Sequence, residues 1–148
     1  MTIPATCNAV PSMGWNPEVM ALRCLLVDDS SGFLDAARAL LERQGIEVVA
    51  VASTGDEAHR LAEEFRPDVI LVDIDLGGES GFDVTRRLTQ ETRLPPWSVI
   101  LISTHSQRDF ADLIAESPAI GFLSKSRLSA DAIHALLEGG RGDEGART

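Results

Sequence analysis

Short apolar runs alternate with longer amphipathic stretches five times between residue 22 and residue 137. The apolar runs predict five strands: Leu22–Val27, Ile46–Ala52, Val69–Val72, Ser98–Ile102 and Ala119–Leu123. These runs are almost continuously apolar, which is typical of parallel strands that are covered by helices on both faces of the sheet. Because crossovers between parallel strands are right-handed, the pattern predicts an α/β fold with a five-stranded parallel sheet in a doubly wound (βα)5 sandwich.

The stretches between these runs carry helix signals. After Ser31, apolar residues recur at helical spacing until Gly45, which is a typical residue just past a helix end. Thr54 is a predicted cap for a second helix, and Ser129 is a predicted cap for a short last helix that ends near Leu137. The inner faces of the first and fourth helices are predicted to consist of Phe33, Leu34, Ala37, Leu40 and Leu41, and of Phe110, Leu113 and Ile114, respectively.

The two ends of the chain lack this pattern. Residues 1–20 contain three prolines and predict a flexible N-terminal extension, while residues 139–148 are rich in glycine and charge and predict a disordered tail. Residues 21–138 are thus expected to form one domain. Met20 stands directly before the first strand, so both Met1 and Met20 remain open as the natural start, as does the existence of a longer parent chain.

Charge and hydropathy exclude several functions. The net charge of −10 argues against direct binding of nucleic acid, which requires clustered lysine and arginine. No apolar run approaches the ~18 residues that span a bilayer, and the N-terminus does not resemble a secretory signal. Cys24 lies in an apolar run and is interpreted as a small buried hydrophobe. These features predict a cytoplasmic protein without a membrane partner.

Polar residues stand at the carboxyl ends of four predicted strands, the edge where doubly wound sheets carry their ligand sites. They are Asp28 and Asp29, Asp73 and Asp75, Ser103 and Thr104, and Lys125. Converging carboxylates repel each other unless a cation neutralises them, and oxygen ligands without histidine or cysteine favour Mg²⁺. A lysine and a hydroxyl beside such a cation are suited to a transferring phosphoryl group.

Each of these residues also has a simpler interpretation. Asp28 or Asp29 could cap the helix that follows, and Asp75 could serve turn geometry. Ser103 could bond its own backbone, and Lys125 could be a solvated surface lysine. The conjunction of all of them at one edge of one sheet favours a functional site.

The segments that carry these residues resemble the response-regulator receiver family of two-component systems. They are LLVDDS (25–30), DVILVDIDLGGESGFDV (68–84), ILIST (100–104) and GFLSKS (121–126). The spacings of 44 residues from Asp29 to Asp73, 30 to Ser103 and 22 to Lys125 are also similar to those of receivers. The resemblance covers roughly Leu22–Leu137 and implies a flavodoxin-like fold, of the stand-alone type without an output domain.

The resemblance also implies a role for each residue of the site. Asp73 would be the phosphoacceptor, Asp29 would ligate Mg²⁺ directly, and Asp28 would ligate it through water. The backbone carbonyl of Asp75 would complete the metal ligands with Asp73. Ser103 would be the switch hydroxyl, and Lys125 would pair with the phosphoryl group. Three further residues would tune the switch or the lifetime of the phosphoryl group: Phe122, Thr104 and His105.

Three positions depart from the family pattern. Gly77 stands where proline is common, which predicts a more flexible loop, and Thr104 is bulkier than the usual residue after the switch. Ser126 replaces the proline that usually follows the lysine through a cis bond. Because a cis bond before a residue other than proline costs ~2.5–4 kcal/mol, we predict a trans Lys125–Ser126 bond, with the amine still directed toward Asp73.

The implied partners are a sensor histidine kinase or a phosphotransfer protein, an unknown downstream protein and, as one implied assembly, a phosphorylation-dependent dimer. The protein would be a phosphoacceptor with intrinsic autodephosphorylation and not a turnover enzyme. One alternative is a haloacid-dehalogenase-like phosphatase, which Asp73, Asp75, Ser103 and Lys125 imitate, although acidic ligands after the lysine are missing. Others are a pseudo-receiver and a receiver fragment of a DNA-binding transcriptional regulator.

Overall fold

A computed structural model of the protein describes residues 21–91, 98–104 and 107–142. Five strands and five α-helices alternate along these residues. The strands are β1 (Arg23–Val27), β2 (Glu47–Ala52), β3 (Val69–Asp73), β4 (Val99–Ser103) and β5 (Gly121–Ser124). The helices are α1 (Ser31–Arg43), α2 (Gly55–Phe65), α3 (Gly81–Glu91), α4 (Ala111–Glu116) and α5 (Ala130–Gly142). Two 3₁₀ turns, Gln107–Phe110 and Lys125–Arg127, precede α4 and follow β5.

The strands form one parallel sheet in the order β2-β1-β3-β4-β5. Apolar clusters cover both faces of this sheet: α1 and α5 pack on one face through Leu41 and Ile133, and α2 and α3 pack on the other through Ala62 and Leu88. The predicted doubly wound five-stranded sandwich is confirmed. All carboxyl ends of the strands consequently lie along one edge.

Local signals begin and end the helices where the sequence predicts them. Ser30 caps α1 by accepting a hydrogen bond from the Phe33 amide at 3.3 Å, and Thr54 caps α2 in the same way. Gly45 follows α1 with a φ of 92°, a conformation that favours glycine. The Ser129 hydroxyl accepts a hydrogen bond from the Ala132 amide at 3.0 Å and caps α5. Cys24 is fully buried in β1, as predicted, and burial raises the pKa of its thiol.

Two helix predictions are wrong in part. Leu113, predicted on the inner face of the fourth helix, is 50% exposed, because a 3₁₀ turn precedes the six-residue α4 and breaks the α-helical spacing from Phe110. Residues 139–142, predicted to be disordered, continue α5 to Gly142. Glycines at 139 and 140 lower helix propensity by about 1 kcal/mol each but keep the amide donors that a helix needs.

The predictions for residues 1–20, for His105 and for residues 143–148 concern parts of the chain outside the described ranges. Within those ranges, no helix has the length and apolar character to cross a membrane.

Candidate functional site

Three carboxylates meet at the ends of β1 and β3. Asp28 and Asp29 follow β1, Asp73 is the last residue of β3, and one oxygen of each lies within 4.8 Å of the others. Asp28 is fully buried and Asp73 is 6% exposed, while Asp29 faces solvent. Three negative charges so close together, two of them away from water, need a cation nearby. The structure therefore brings together the acidic residues that the sequence predicts.

The turn after β1 fixes the position of Asp28. Its amide donates to the carbonyl of Ala52 on β2 at 3.0 Å, and its Oδ1 accepts a hydrogen bond from the Ser30 amide at 2.8 Å. Because Ser30 supplies the cap of α1, the interpretation of Asp28 or Asp29 as the capping residue is wrong. The two carboxylates remain available to the cleft.

The loop after Asp73 is a tight turn built on its own side chains. Asp73 Oδ1 accepts a hydrogen bond from the Asp75 amide at 3.3 Å, and Asp75 Oδ1 accepts one from the Gly77 amide at 3.1 Å. The Asp75 carboxylate thus has the turn role that its simpler interpretation suggests. Its backbone carbonyl as a metal ligand stays a prediction.

Gly77 fits this turn for two physical reasons. Its φ of 77° is one that proline cannot adopt, since the proline ring fixes φ near −65°. A Cβ at this position would also lie 3.0 Å from Asp29 Oδ2. The departure from proline therefore changes the backbone path beside Asp29, and the predicted flexibility of the loop remains to be tested.

Lys125 supplies positive charge to the cleft. Its Nζ lies 2.5 Å from Asp28 Oδ2 and 3.4 Å from Asp73 Oδ2, and its side chain is only 13% exposed. Asp28 Oδ2 has this charge contact but no hydrogen bond within the described part of the chain. The interpretation of Lys125 as a solvated surface residue is therefore wrong.

The Lys125–Ser126 bond follows its prediction as well. No peptide bond in the described ranges is cis, and the amine still points toward Asp73. The 3₁₀ turn over Lys125–Arg127 carries the chain from β5 toward α5, and the hydroxyls of Ser124 and Ser126 lie 3.0 Å apart in it.

The environment of Asp73 raises the pKa of its carboxyl to about 6. Burial is the largest cause, followed by repulsion from the Asp28 carboxylate, while the Lys125 ammonium lowers the pKa in part. The Asp73 carboxyl therefore changes its charge near pH 6. A raised carboxyl pKa in a cleft is typical of functional sites.

The remaining predicted residues lie on the β4–β5 side. Ser103 ends β4 and is 3% exposed, whereas Thr104 faces solvent. Ser103 also lines a cavity of about 370 Å³ together with Asp75, Ser80 and Phe110. Phe122 is half-buried and packs against the apolar cluster on the α2–α3 face.

Two contacts of the site are not predicted by the sequence. The ring of Phe33 lies under the Lys125 ammonium, with 4.3 Å between Nζ and the ring centroid. The carboxylate of Glu79 accepts a hydrogen bond from the Gly55 amide at 2.8 Å and so ties the loop after Asp73 to the first residue of α2. Phe33 carries only a core signal in the sequence, and nothing in the sequence distinguishes Glu79 from a solvated loop residue.

Comparisons with known proteins agree on one family. The sequence model of the family named response regulator receiver domain matches residues 24–138 of the chain. The chain is 36% identical over 122 residues to the transcriptional regulatory protein LiaR of Bacillus subtilis, which covers 80% of this chain and 57% of LiaR. It spans about half the length of the first curated relatives that it matches.

Solved structures agree in fold. A LuxR-family two-component response regulator from Aurantimonas sp. SI85-9A1 is 32% identical, with a TM-score of 0.70 over 80% of this chain and 86% of that one. A response regulator from Burkholderia pseudomallei, crystallised with a phosphorylated aspartic acid, a calcium ion and citrate, is 26% identical with a TM-score of 0.68. The match covers 80% of this chain and 68% of that one. The phosphatase alternative receives no support from these relatives.

Proposed function

The chain belongs to the response regulator receiver family, and from this premise we propose that Asp73 is its phosphoacceptor. Receiver domains are phosphoacceptor signalling domains, not turnover enzymes, and they interact with histidine kinases or phosphotransfer proteins. The observation that carries the proposal is the buried Asp73 carboxylate, which lies beside two further carboxylates and within 3.4 Å of an ammonium.

Receiver domains typically bind Mg²⁺ at an acidic pocket, and the donors of this chain fit such an ion. The oxygens of Asp28, Asp29 and Asp73 are hard ligands within 4.8 Å of one another. Asp29 and Asp73 would bind the ion directly, Asp28 through water, and the carbonyl of Asp75 would be a further ligand. Bound Mg²⁺ would neutralise the charge that develops on the phosphoryl oxygens.

The chain's own residues then perform the transfer. An Asp73 oxygen attacks phosphorus, the bond between phosphorus and the histidine nitrogen of the donor breaks, and the freed imidazole takes up a proton from solvent. Lys125 pairs with the phosphoryl oxygens, and the Ser103 hydroxyl donates a hydrogen bond to one of them. Hydrolysis of the resulting acyl phosphate is the autodephosphorylation step, which Asp75 and His105 tune. Thr104 narrows the access of the donor, and Phe122 moves with the switch.

The phosphorylated form is proposed to act through a downstream protein or by forming a dimer. The net charge of −10 argues against direct contact with nucleic acid. Relatives such as LiaR, however, are transcriptional regulators. Their greater length favours a second candidate, in which this chain is the receiver part of a DNA-binding regulator. The mass of the protein isolated from its source distinguishes the two.

Intact-mass measurement after incubation with acetyl phosphate and Mg²⁺ tests the acceptor. The wild type should gain one phosphoryl group, while Asp73→Asn, which keeps the shape but removes the nucleophile, should gain none. Asp35→Asn, the same change of charge at an exposed position of α1, is the matched control and should behave like the wild type. Equal modification of Asp73→Asn and the wild type would reject the assignment.

A further inference from the structure

Among the described residues, three groups contact the ammonium of Lys125: the carboxylates of Asp28 and Asp73 and the ring of Phe33. An ammonium at 4.3 Å from a ring centroid lies within the range of a cation–π interaction, which strengthens when the cation is shielded from water. The side chain of Lys125 is 13% exposed, so much of this shielding is present. The ring is therefore one of three groups that fix the ammonium.

The turn that fixes Asp28 also fixes Phe33. The Phe33 amide donates to the hydroxyl of Ser30, and the Ser30 amide donates to Asp28 Oδ1. Asp28 and the ring of Phe33 thus approach Lys125 from one short segment at the start of α1. Neither can shift far without disturbing the other.

The three contacts respond differently to the proposed chemistry. Cation binding places a competing positive charge beside Asp28, and phosphorylation converts the Asp73 carboxylate into an acyl phosphate. The ring is uncharged and is altered by neither event. Of these three groups, the ring is the one whose chemistry stays constant through the proposed cycle.

We propose that Phe33 is a positioning residue for Lys125, whose ring holds the ammonium over the phosphoryl site. The inference rests on the proposed function of Asp73 and Lys125. A role in packing alone would be met by any apolar side chain of similar size, since Phe33 is only half-buried at the rim of the cluster between α1 and α5. A positioning role requires the electron-rich face of the ring.

Graded fluorination of Phe33 separates the two roles, because it weakens the negative face of the ring and changes its shape little. We expect the affinity for beryllofluoride with Mg²⁺, and the rate of phosphorylation by acetyl phosphate, to fall stepwise with each added fluorine. The loss should reach about 3- to 10-fold with pentafluorophenylalanine, which follows from the usual strength of a cation–π pair. Phe33→Leu should lower the affinity and the rate by as much. Phe33→Trp, which keeps an electron-rich ring, should retain wild-type values.

Phe65 is the matched control, since it is also half-buried at a helix terminus and has no cation contact within the described part of the chain. The same fluorinated series at Phe65 should leave both quantities unchanged. In proton–carbon spectra, the ε-methylene protons of Lys125 should be shifted upfield by the ring in the wild type and return to ordinary values in Phe33→Leu.

The outcomes distinguish this inference from the proposed function. A wild type that gains no phosphoryl group rejects the assignment of Asp73. A wild type that is phosphorylated, with a flat fluorine series and no upfield shift at Lys125, rejects the role of Phe33 alone.

Discussion

The site has an acidic side, where β1 and β3 lead to Asp28, Asp29 and Asp73, and a switch side, which comprises β4 with the proposed switch hydroxyl of Ser103, α4 and β5. The two sides differ in how tightly they are packed. On the acidic side, β3 is buried throughout and only Arg23 of β1 is incompletely buried. On the switch side, β4 is also buried throughout, whereas β5 and α4 have no fully buried residue. Segments with few buried contacts open at a lower free-energy cost than core strands do. The difference suggests a division of work, in which β1 and β3 fix Asp73, the proposed phosphoacceptor, while α4 and β5 can rearrange.

Two leucine substitutions test this comparison with the largest expected effect. Leu71→Ala on β3 removes a fully buried side chain and should lower the free energy of unfolding by about 2–5 kcal/mol. Leu113→Ala on α4, at a residue that is 50% exposed, should change it by less than about 0.5 kcal/mol. Chemical denaturation of both variants measures the difference. Similar losses at the two positions would remove the basis of the comparison.

The pH dependence of stability tests the charge state of the acidic side without metal. The pKa of Asp73 is about 6 in the folded protein against an ordinary value of 3.8, so the folded state binds the proton more tightly. The protonated Asp73 therefore contributes fully to stability below about pH 4. As the pH rises toward 6, the free energy of unfolding should fall by roughly 2–3 kcal/mol because this contribution is lost.

Asp73→Asn removes this titration and serves as the reference. In the presence of a chelator, the variant should become progressively more stable than the wild type between pH 4 and pH 6 in thermal or denaturant unfolding. A constant difference over this range would show that Asp73 is not held in an unfavourable environment.

The contact between Glu79 and Gly55 sharpens the comparison further, because it connects the loop after Asp73 to α2. Glu79→Ala removes the hydrogen bond and should weaken Mg²⁺ binding by about 3- to 10-fold, which corresponds to the usual net contribution of one hydrogen bond. Gly55→Ala should act on the same contact, since its Cβ would lie 2.5 Å from Glu79 Oε2 and 2.9 Å from Val84 Cγ2. Because both changes break one contact, the double variant should be no worse than the more damaging single variant. Fully additive losses would mean that the contact does not position the loop.

The fold and the charged residues of the site follow from local sequence signals. Apolar runs identify the five strands, and the polar residues at their ends identify Asp28, Asp73 and Lys125 as neighbours. The contacts of Phe33 and Glu79 do not follow, because they join residues that are distant in the sequence and lack a distinctive pattern. The exposure of Leu113 escapes prediction since the spacing alone does not reveal a 3₁₀ turn before α4.

Chemical mapping of the phosphorylated residue tests the central claim most directly. Borohydride reduces an aspartyl phosphate to homoserine, and fragmentation of the peptides that carry Asp28 and Asp29 and Asp73 and Asp75 assigns the modified position. After treatment with acetyl phosphate and Mg²⁺, we predict homoserine at residue 73 and unmodified aspartate at residues 28, 29 and 75. Homoserine at one of those three positions, with Asp73 intact, would contradict the account.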